Sequence, residues 1–399
     1  MVGSSTAMSA QQATPPRTDG ARLAQNPITF QTPERVCAAP VPLASSGRRM
    51  ETHMMNRRDW LLIPLGVILL AASAALSSPV AWATLAQAAS NHDATRADFD
   101  RLMKELSNWG RWGKEDQMGA VNLITPAKRK SALASVKEGF SVSMARKAET
   151  EPALDNPRPI TRVMGGAGGG ANAAATPPDI SGASDTLTVS YHGFVHTHMD
   201  TFCHRAYKGF MYNGMPMTSV TDKACTMGSI YAWKDGIITR AVLMDIPRLK
   251  GVEYLEPGTR IYPEDLDAWV KKANLKIQPG DAVFIRTGRW ALRDAKGPYI
   301  TNQLAGLYIT CAKWLHEHDV AILGSDGAED VHPSGIEGIT EPIHALVLVA
   351  MGMPIFDNLD LEALSKEAAK RNRWDFLVTA APLTIPGATG SPLNPIATF

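Results

Sequence analysis

Leu187-Thr-Val-Ser-Tyr-His-Gly-Phe-Val-His-Thr-His-Met-Asp-Thr-Phe-Cys-His204 is the stretch from which the rest of the chain is read. Leu187, Val189 and Tyr191 alternate with Thr188, Ser190 and His192, the period of two that marks a half-buried strand. Successive strand side chains point to opposite faces. Carried on as a strand, the chain sets His196, His198 and Asp200 on one face, with His192 further back on the same face and His204 just past the end. Four of the 10 histidines fall within these last 13 residues, His192 to His204, with a carboxylate among them. Imidazole and carboxylate are the usual ligands of a catalytic divalent metal. A histidine-rich surface strand or hydrogen-bonded core histidines would need neither the shared face nor the acid.

Outward from this stretch the elements alternate in type. Residues 96–107 have helical spacing through Phe99, Leu102 and Leu106. Thr125 is placed to cap a second helix that has Pro126 at its first position. Strands are expected at Ile237 to Ile246, Ala282 to Thr287, Val320 to Gly324 and Phe376 to Leu383. Helices are expected at Pro263 to Lys272, Leu304 to His318, His344 to Met351 and Leu361 to Arg373. This is an α/β pattern without a simple βαβ repeat. The glycine-rich run from Met164 to Gly170 lacks the Lys-Ser/Thr of a phosphate loop and reads as a flexible surface insertion. Asp326, Glu329, Asp330 and His332 follow a buried strand end, where sites often form.

Around His198-x-Asp200-x-x-x-His204, with Thr197 before it, the sequence resembles the His-x-Gly-Thr-His-x-Asp-x-x-x-His signature of the cyclase family, which includes bacterial kynurenine formamidase and isatin hydrolase. Trp109 to Gly113 leading into Met118 to Leu123, Gly280 to Gly288, and Ala321 to Asp326 also resemble family segments. So do His344 to Val349 and Pro354 to Leu359. The resemblance covers about residues 105–399. It implies a swivelling β/β/α fold with a central β-barrel-like sheet and peripheral helices, and a homo-oligomer that is at least a dimer. It also implies metal ligation by His198, Asp200 and His204, with His344 and Asp357 as later members of the site. Three positions depart from the family. Its first histidine is Phe194 here, its glycine is His196, and its late glutamate is Asp357, 13 residues after His344. His196 or His192 would supply the missing first ligand, and His196, being nearer, is the expected one.

The bounds agree with an enzyme of small molecules. Lys and Arg number 40 against 39 Asp and Glu, so nothing suggests nucleic-acid binding. Residues 1–53 read as a disordered leader or a mis-assigned start. Arg57 and Arg58 precede a long uncharged stretch, so residues 54–89 read as a twin-arginine export signal, with translation expected from Met54 or Met55. The expected location is the periplasm, the membrane being met only through that signal; a membrane anchor is the alternative. Residues 95–399 form the catalytic domain. Cys203, Cys225 and Cys311 make an odd count that excludes a disulfide framework but leaves a Cys203–Cys225 bridge open.

The expected chemistry follows from the ion. Zinc or manganese, as one or two ions, would bring the pKa of bound water down to about 7 for attack on an amide or formyl carbonyl. His204 is the expected proton shuttle and His344 its competitor. If two ions bind, Asp200 would bridge them while His204, His344 and Asp357 hold the second. Phe194, Phe202, Tyr212 and His332 are the candidate substrate contacts. The expected activity is hydrolysis of a C–N bond, similar to arylformamidase acting on N-formylkynurenine. The alternatives are hydrolysis of a cyclic amide or lactone, as in isatin hydrolase, and a periplasmic metal-binding protein without catalysis.

Overall fold

The computed structural model describes residues 92–165 and 182–399. The stretches read as a leader and an export signal, and the glycine-rich run beyond Gly165, lie outside the described residues. No helix among the described residues is long and apolar enough to cross a membrane.

Among the described residues thirteen strands form in chain order: β1 (Ser141–Ser143), β2 (Thr161–Gly165), β3 (Ser184–Thr188), β4 (His198–Asp200), β5 (Ile237–Asp245), β6 (Arg260–Ile261), β7 (Ala282–Arg286), β8 (Gly306–Leu307), β9 (Ile322–Ser325), β10 (Ile355–Asp357), β11 (Asp375–Ala380), β12 (Gly390–Pro392) and β13 (Ile396–Thr398). Nine of them make one mixed sheet in the order β1-β13-β11-β5-β7-β9-β10-β4-β12. Its middle, β5-β7-β9-β10, is parallel, and its flanks are antiparallel. The sheet curls into a half-barrel with helices around it, as expected for a cyclase-like fold. The apolar runs of β5, β7 and β9 are buried along nearly their whole length, as parallel strands covered on both faces must be.

Eight α-helices among the described residues pack around the sheet: α1 (Arg96–Glu105), α2 (Pro126–Ala134), α3 (Ile246–Lys250), α4 (Pro263–Lys272), α5 (Arg289–Lys296), α6 (Cys311–Glu317), α7 (Pro342–Ala345) and α8 (Glu362–Arg371). Thr125 caps α2, its hydroxyl accepting from the Lys128 amide at 3.1 Å. The helix opening at His344 begins as α7 and widens into a π turn over Leu346–Met351.

Two expectations fail. The helix expected from Leu304 starts only at Cys311. Residues 304–307 instead run extended beside 329–332, with the Leu307 amide donating to the Glu329 carbonyl at 2.7 Å and the His332 amide to the Leu304 carbonyl at 3.0 Å. Gly306 permits that approach, since a Cβ there would lie 2.4 Å from the Asp330 carbonyl oxygen. The second failure is the long strand from Leu187. β3 stops at Thr188 and pairs only with β2, in a hairpin exposed on both faces. The chain then turns irregularly until β4 begins at His198. A stretch that leaves the sheet keeps no face parity, so His192 and His196 are free to point elsewhere.

Candidate metal centre

Register seeds the site. β4 lies antiparallel to β10, with Asp357 opposite His198 and Ile355 opposite Asp200. His198 and Asp200 are two residues apart and so share a face, and a residue directly opposite projects to that same face. The His198 Nε2 accordingly lies 3.3 Å from Asp200 Oδ1 and 3.4 Å from Asp357 Oδ2. A single 3₁₀ turn, Phe202–His204, follows β4 and folds His204 back until its Nε2 is 3.3 Å from Asp200 Oδ2. His192 enters from the irregular stretch. Its ring stacks on His204 at 4.0 Å, its Nδ1 lies 2.9 Å from Asp200 Oδ1, and its Nε2 meets the Thr389 hydroxyl at 2.8 Å.

The other half of the site comes from the carboxyl ends of parallel strands, where open α/β sheets bind ligands. β10 ends on Asp357, and the loop after β9 carries Glu329 and Asp330. The Asp330 carboxylate accepts from the backbone amides of Ile343 and His344 at the start of α7, at 2.6 and 3.2 Å. It also holds His344 Nδ1 at 2.7 Å, which leaves Nε2 facing Asp357 at 3.5 Å and Glu329 at 3.7 Å. His198 is fixed in the same way, its Nδ1 donating to the His196 carbonyl at 2.8 Å. Such outer partners set the tautomer of a ligating imidazole and aim its free nitrogen.

Three adjoining groups could each hold a cation: His192, Asp200 and His204; His198, Asp200 and Asp357; Glu329, His344 and Asp357. Asp200 and Asp357 each belong to two of them, the arrangement of bridging carboxylates. Charge supports the same reading. Both oxygens of Asp200, both of Glu329 and Oδ1 of Asp357 are buried without a hydrogen-bond partner, a costly state for carboxylates unless a positive charge answers them. Burial favours neutral His198, yet Asp200 and Asp357 override it and raise its pKa to about 9. Burial and then the neighbouring Asp357 push the Glu329 carboxyl well up. Burial opposes ionisation of Asp200, but the His198 ring beside it holds it well below the usual carboxylate range. Burial also takes His204 down to about 3 against the pull of Asp200. Protons held on His198 and Glu329 thus stand in for missing positive charge, and these nitrogen and oxygen donors fit a divalent metal ion.

Of the expected ligands, His198, Asp200, His204, His344 and Asp357 come together. His196 does not. Its ring points into a separate cavity with Arg146, Thr197 and Leu393, and only its backbone carbonyl serves the site. His192 takes the place proposed for it. Glu329, offered by the sequence only as one of the polar residues after a buried strand end, also belongs to the site; its carbonyl accepts from the Leu307 amide of the extended 304–307 segment at 2.7 Å. A cavity of about 230 Å³ opens onto the centre, lined by Phe194, Arg205, Ala328 and Glu341 beside the ligand groups. Arg205 and Glu341 form an ion pair on its wall. Phe194 is the substrate candidate that lines it. Phe202 and Tyr212 do not: both are fully buried, their rings 4.6 Å apart, with Phe202 also 5.1 Å from Trp233 and the Tyr212 hydroxyl donating to Asp116 at 3.0 Å. Their large apolar area is spent on the core. His332 stands behind the wall, 5.9 Å from the Phe194 ring and with Nε2 3.8 Å from Glu341. Cys203 is bridged to Cys225, with Cα atoms 6.5 Å apart, which ties down the turn bearing His204.

A curled mixed sheet with an acid–histidine centre at its strand ends defines a cyclase-like α/β protein. The Cyclase family model matches residues 73–329. A crystal structure described as a novel cyclase is 32% identical, with a TM-score of 0.67, covering 74% of this chain and 99% of that one. The chain belongs to the cyclase family. Isatin hydrolase A from Labrenzia aggregata, bound to benzyl benzoate, is 18% identical, with a TM-score of 0.46 over 67% of this chain and 96% of its own. An isatin hydrolase bound to the product analogue thioisatinate is 16% identical, with a TM-score of 0.45 over 69% and 99%. No protein of curated function matches the chain.

Proposed function

We propose that this protein is a metal-dependent hydrolase of a C–N bond, similar to an arylformamidase acting on N-formylkynurenine. The observation that carries the reading is the set of bare, buried carboxylate oxygens on Asp200, Glu329 and Asp357 among four imidazoles, at the floor of a cavity. A divalent ion, zinc or manganese, bound there supplies acidified water and a polarised carbonyl.

The chain's own groups do the rest. Asp330 and the His196 carbonyl hold the rings of His344 and His198 with Nε2 toward the centre. Phe194 offers an apolar wall to an aromatic acyl or amine portion. His204 and His344, the expected proton shuttles, are both drawn into the ligand groups. Glu341 is the carboxylate that lines the cavity outside those groups. We assign it the proton transfer: it accepts a proton from water at a carboxylate oxygen and passes it to the leaving nitrogen, while Arg205 fixes its position.

A compact cavity of about 230 Å³ with one aromatic wall also suits a small ring, so hydrolysis of a cyclic amide or lactone is the second reading. Metal-loaded protein assayed side by side on N-formylkynurenine and isatin separates the two. Glu341→Gln is expected to lower kcat about 100-fold with metal content unchanged. Stoichiometric metal with no turnover of either substrate would leave a metal-binding protein without catalysis. We infer as well that the chain is exported and acts as a homo-oligomer. Arg57→Lys with Arg58→Lys should hold it in the cytoplasm, and sedimentation should give at least a dimer.

A further inference from the structure

His196 replaces the glycine of the family signature, and its side chain takes no part in the metal centre. The ring is only 7% exposed, and neither Nδ1 nor Nε2 has a hydrogen-bond partner. It borders a cavity of about 380 Å³ that shares no lining residue with the metal-bearing one. Ile160, Val189, Pro392 and Leu393 make much of the wall, and Arg146 is its charged member.

The character of this cavity selects a ligand. Arg146 already faces Asp294 at 3.2 Å, Asp360 at 3.3 Å and Glu149 at 3.5 Å. Three carboxylates against one guanidinium leave no surplus positive charge for an anion. An imidazole ring presents a donor and, when uncharged, an acceptor; neither ring nitrogen is answered here, and an unmet buried polar atom is destabilising. Apolar walls with a few convergent polar atoms are the usual make-up of a small-molecule site.

We propose that this cavity is a second binding site, separate from the metal centre, for a small uncharged aromatic molecule bearing a hydroxyl or amide group. The head group hydrogen-bonds to the His196 ring, and the aromatic body lies against Ile160, Val189, Pro392 and Leu393. The inference does not depend on the reaction assigned to the metal centre.

Calorimetry on the full metal-loaded chain, with phenol and benzamide as probes and benzoate as the charged control, tests it. Phenol and benzamide are expected to bind with dissociation constants of about 1 mM, near −4 kcal/mol, and benzoate about tenfold more weakly. Crystals soaked in phenol should show it against His196. His196→Phe should weaken phenol binding at least about tenfold. Because the His196 backbone also holds His198, Val189→Trp, which fills the cavity from another lining position, should do the same. Asp200→Asn, which cripples the metal centre, should leave phenol binding intact. Phenol binding that survives both cavity variants, or that vanishes only in Asp200→Asn, overturns the proposal, as does an absence of phenol binding to the wild type.

Discussion

Asp245 and Asp200 are both fully buried carboxylates, one set beside an arginine and the other among histidines. Around Asp245 every charge is answered. Arg286 donates to Asp245 Oδ1 at 2.9 Å and to both oxygens of Glu362 at 3.0 and 2.8 Å, while the Ser365 hydroxyl donates to Asp245 Oδ2 at 2.5 Å. Asp326 is satisfied differently, by the backbone amides of Thr287, Gly288 and Arg289 and by the Thr287 hydroxyl. Asp200, Glu329 and Asp357 have oxygens that nothing donates to. Burial of an acid therefore does not mark a site by itself. What marks it is an acid whose neighbours are adjustable bases in place of fixed cations, since a permanently charged guanidinium leaves no room for an ion and an imidazole does.

The sharpest way to break this contrast is to remove its centre. Asp200→Ala should lose stoichiometric metal by elemental analysis and lower kcat/KM about 10⁴-fold, because the chemistry supplied by the ion goes with it. His198→Ala should behave alike. Metal retained at full stoichiometry in either variant removes that residue from the ligand set. On the other side, Arg286→Met leaves Asp245 and Glu362 without their buried arginine, Asp245 keeping only the half-exposed Arg248 at 3.4 Å as a charged partner. A cost of about 3–5 kcal/mol is expected, read as a lowered urea midpoint, while metal content stays the same. An Arg286→Met protein of normal stability would show that the arginine cluster is not the neutralised counterpart described here.

Much of the frame could be read ahead of the structure, and the reasons are local. β5, β7, β9 and β11 announce themselves as short apolar runs, and α1, α2 and α4 as spaced apolar positions with recognisable starts. The site was legible in the residues themselves where one element carried it, His198, Asp200 and His204 sitting on one strand and the turn after it, while His344 and Asp357, on distant elements, were reached only through the family resemblance. It was illegible where tertiary contacts decided. Period-two alternation at Leu187 to His192 is real, yet β3 spends it on an exposed hairpin with β2, so the parity that seemed to join His196 to His198 is lost. Glu329 owes its place to the 304–307 segment lying across its loop, a contact no spacing announces. Phe202 and Tyr212 flank the ligands in sequence, but ring size made them core.

A smaller, cleaner comparison lies between two histidines: His196, which spacing favours, and His192, whose Nδ1 lies 2.9 Å from Asp200. His192→Ala should weaken metal binding about 10–100-fold, the usual effect of losing a peripheral ligand or its orienting partner. His196→Ala should leave metal affinity unchanged, because its contribution to the centre is a backbone carbonyl. Competition of each variant with a metal-binding dye measures both. Equal losses in the two would mean that the His196 ring does reach the ion.

The smallest expected effect concerns pH and divides the two clusters along the same line. In the ion-free protein Asp200 and Asp357 raise the His198 pKa from 6.5 to about 9, despite burial. A raised folded-state pKa contributes stability that is fully present below 6.5 and is lost as pH climbs through 9. Metal binding runs the other way, since it needs the deprotonated ring and must displace the proton. Across pH 6.5 to 9 the affinity should therefore rise by up to about tenfold per pH unit for each proton displaced, and the metal-induced increase in Tm should grow with it. The arginine cluster contributes nothing to this window, because Glu362 and Asp245 outweigh the effect of burial and hold Arg286 protonated beyond it. Tm measured with and without added zinc at pH 6.5, 7.5 and 8.5 tests the sign. A metal-induced shift that shrinks with rising pH would mean that His198 does not exchange its proton for the ion, and the acid–histidine centre would then be an internally neutralised cluster like the one around Asp245.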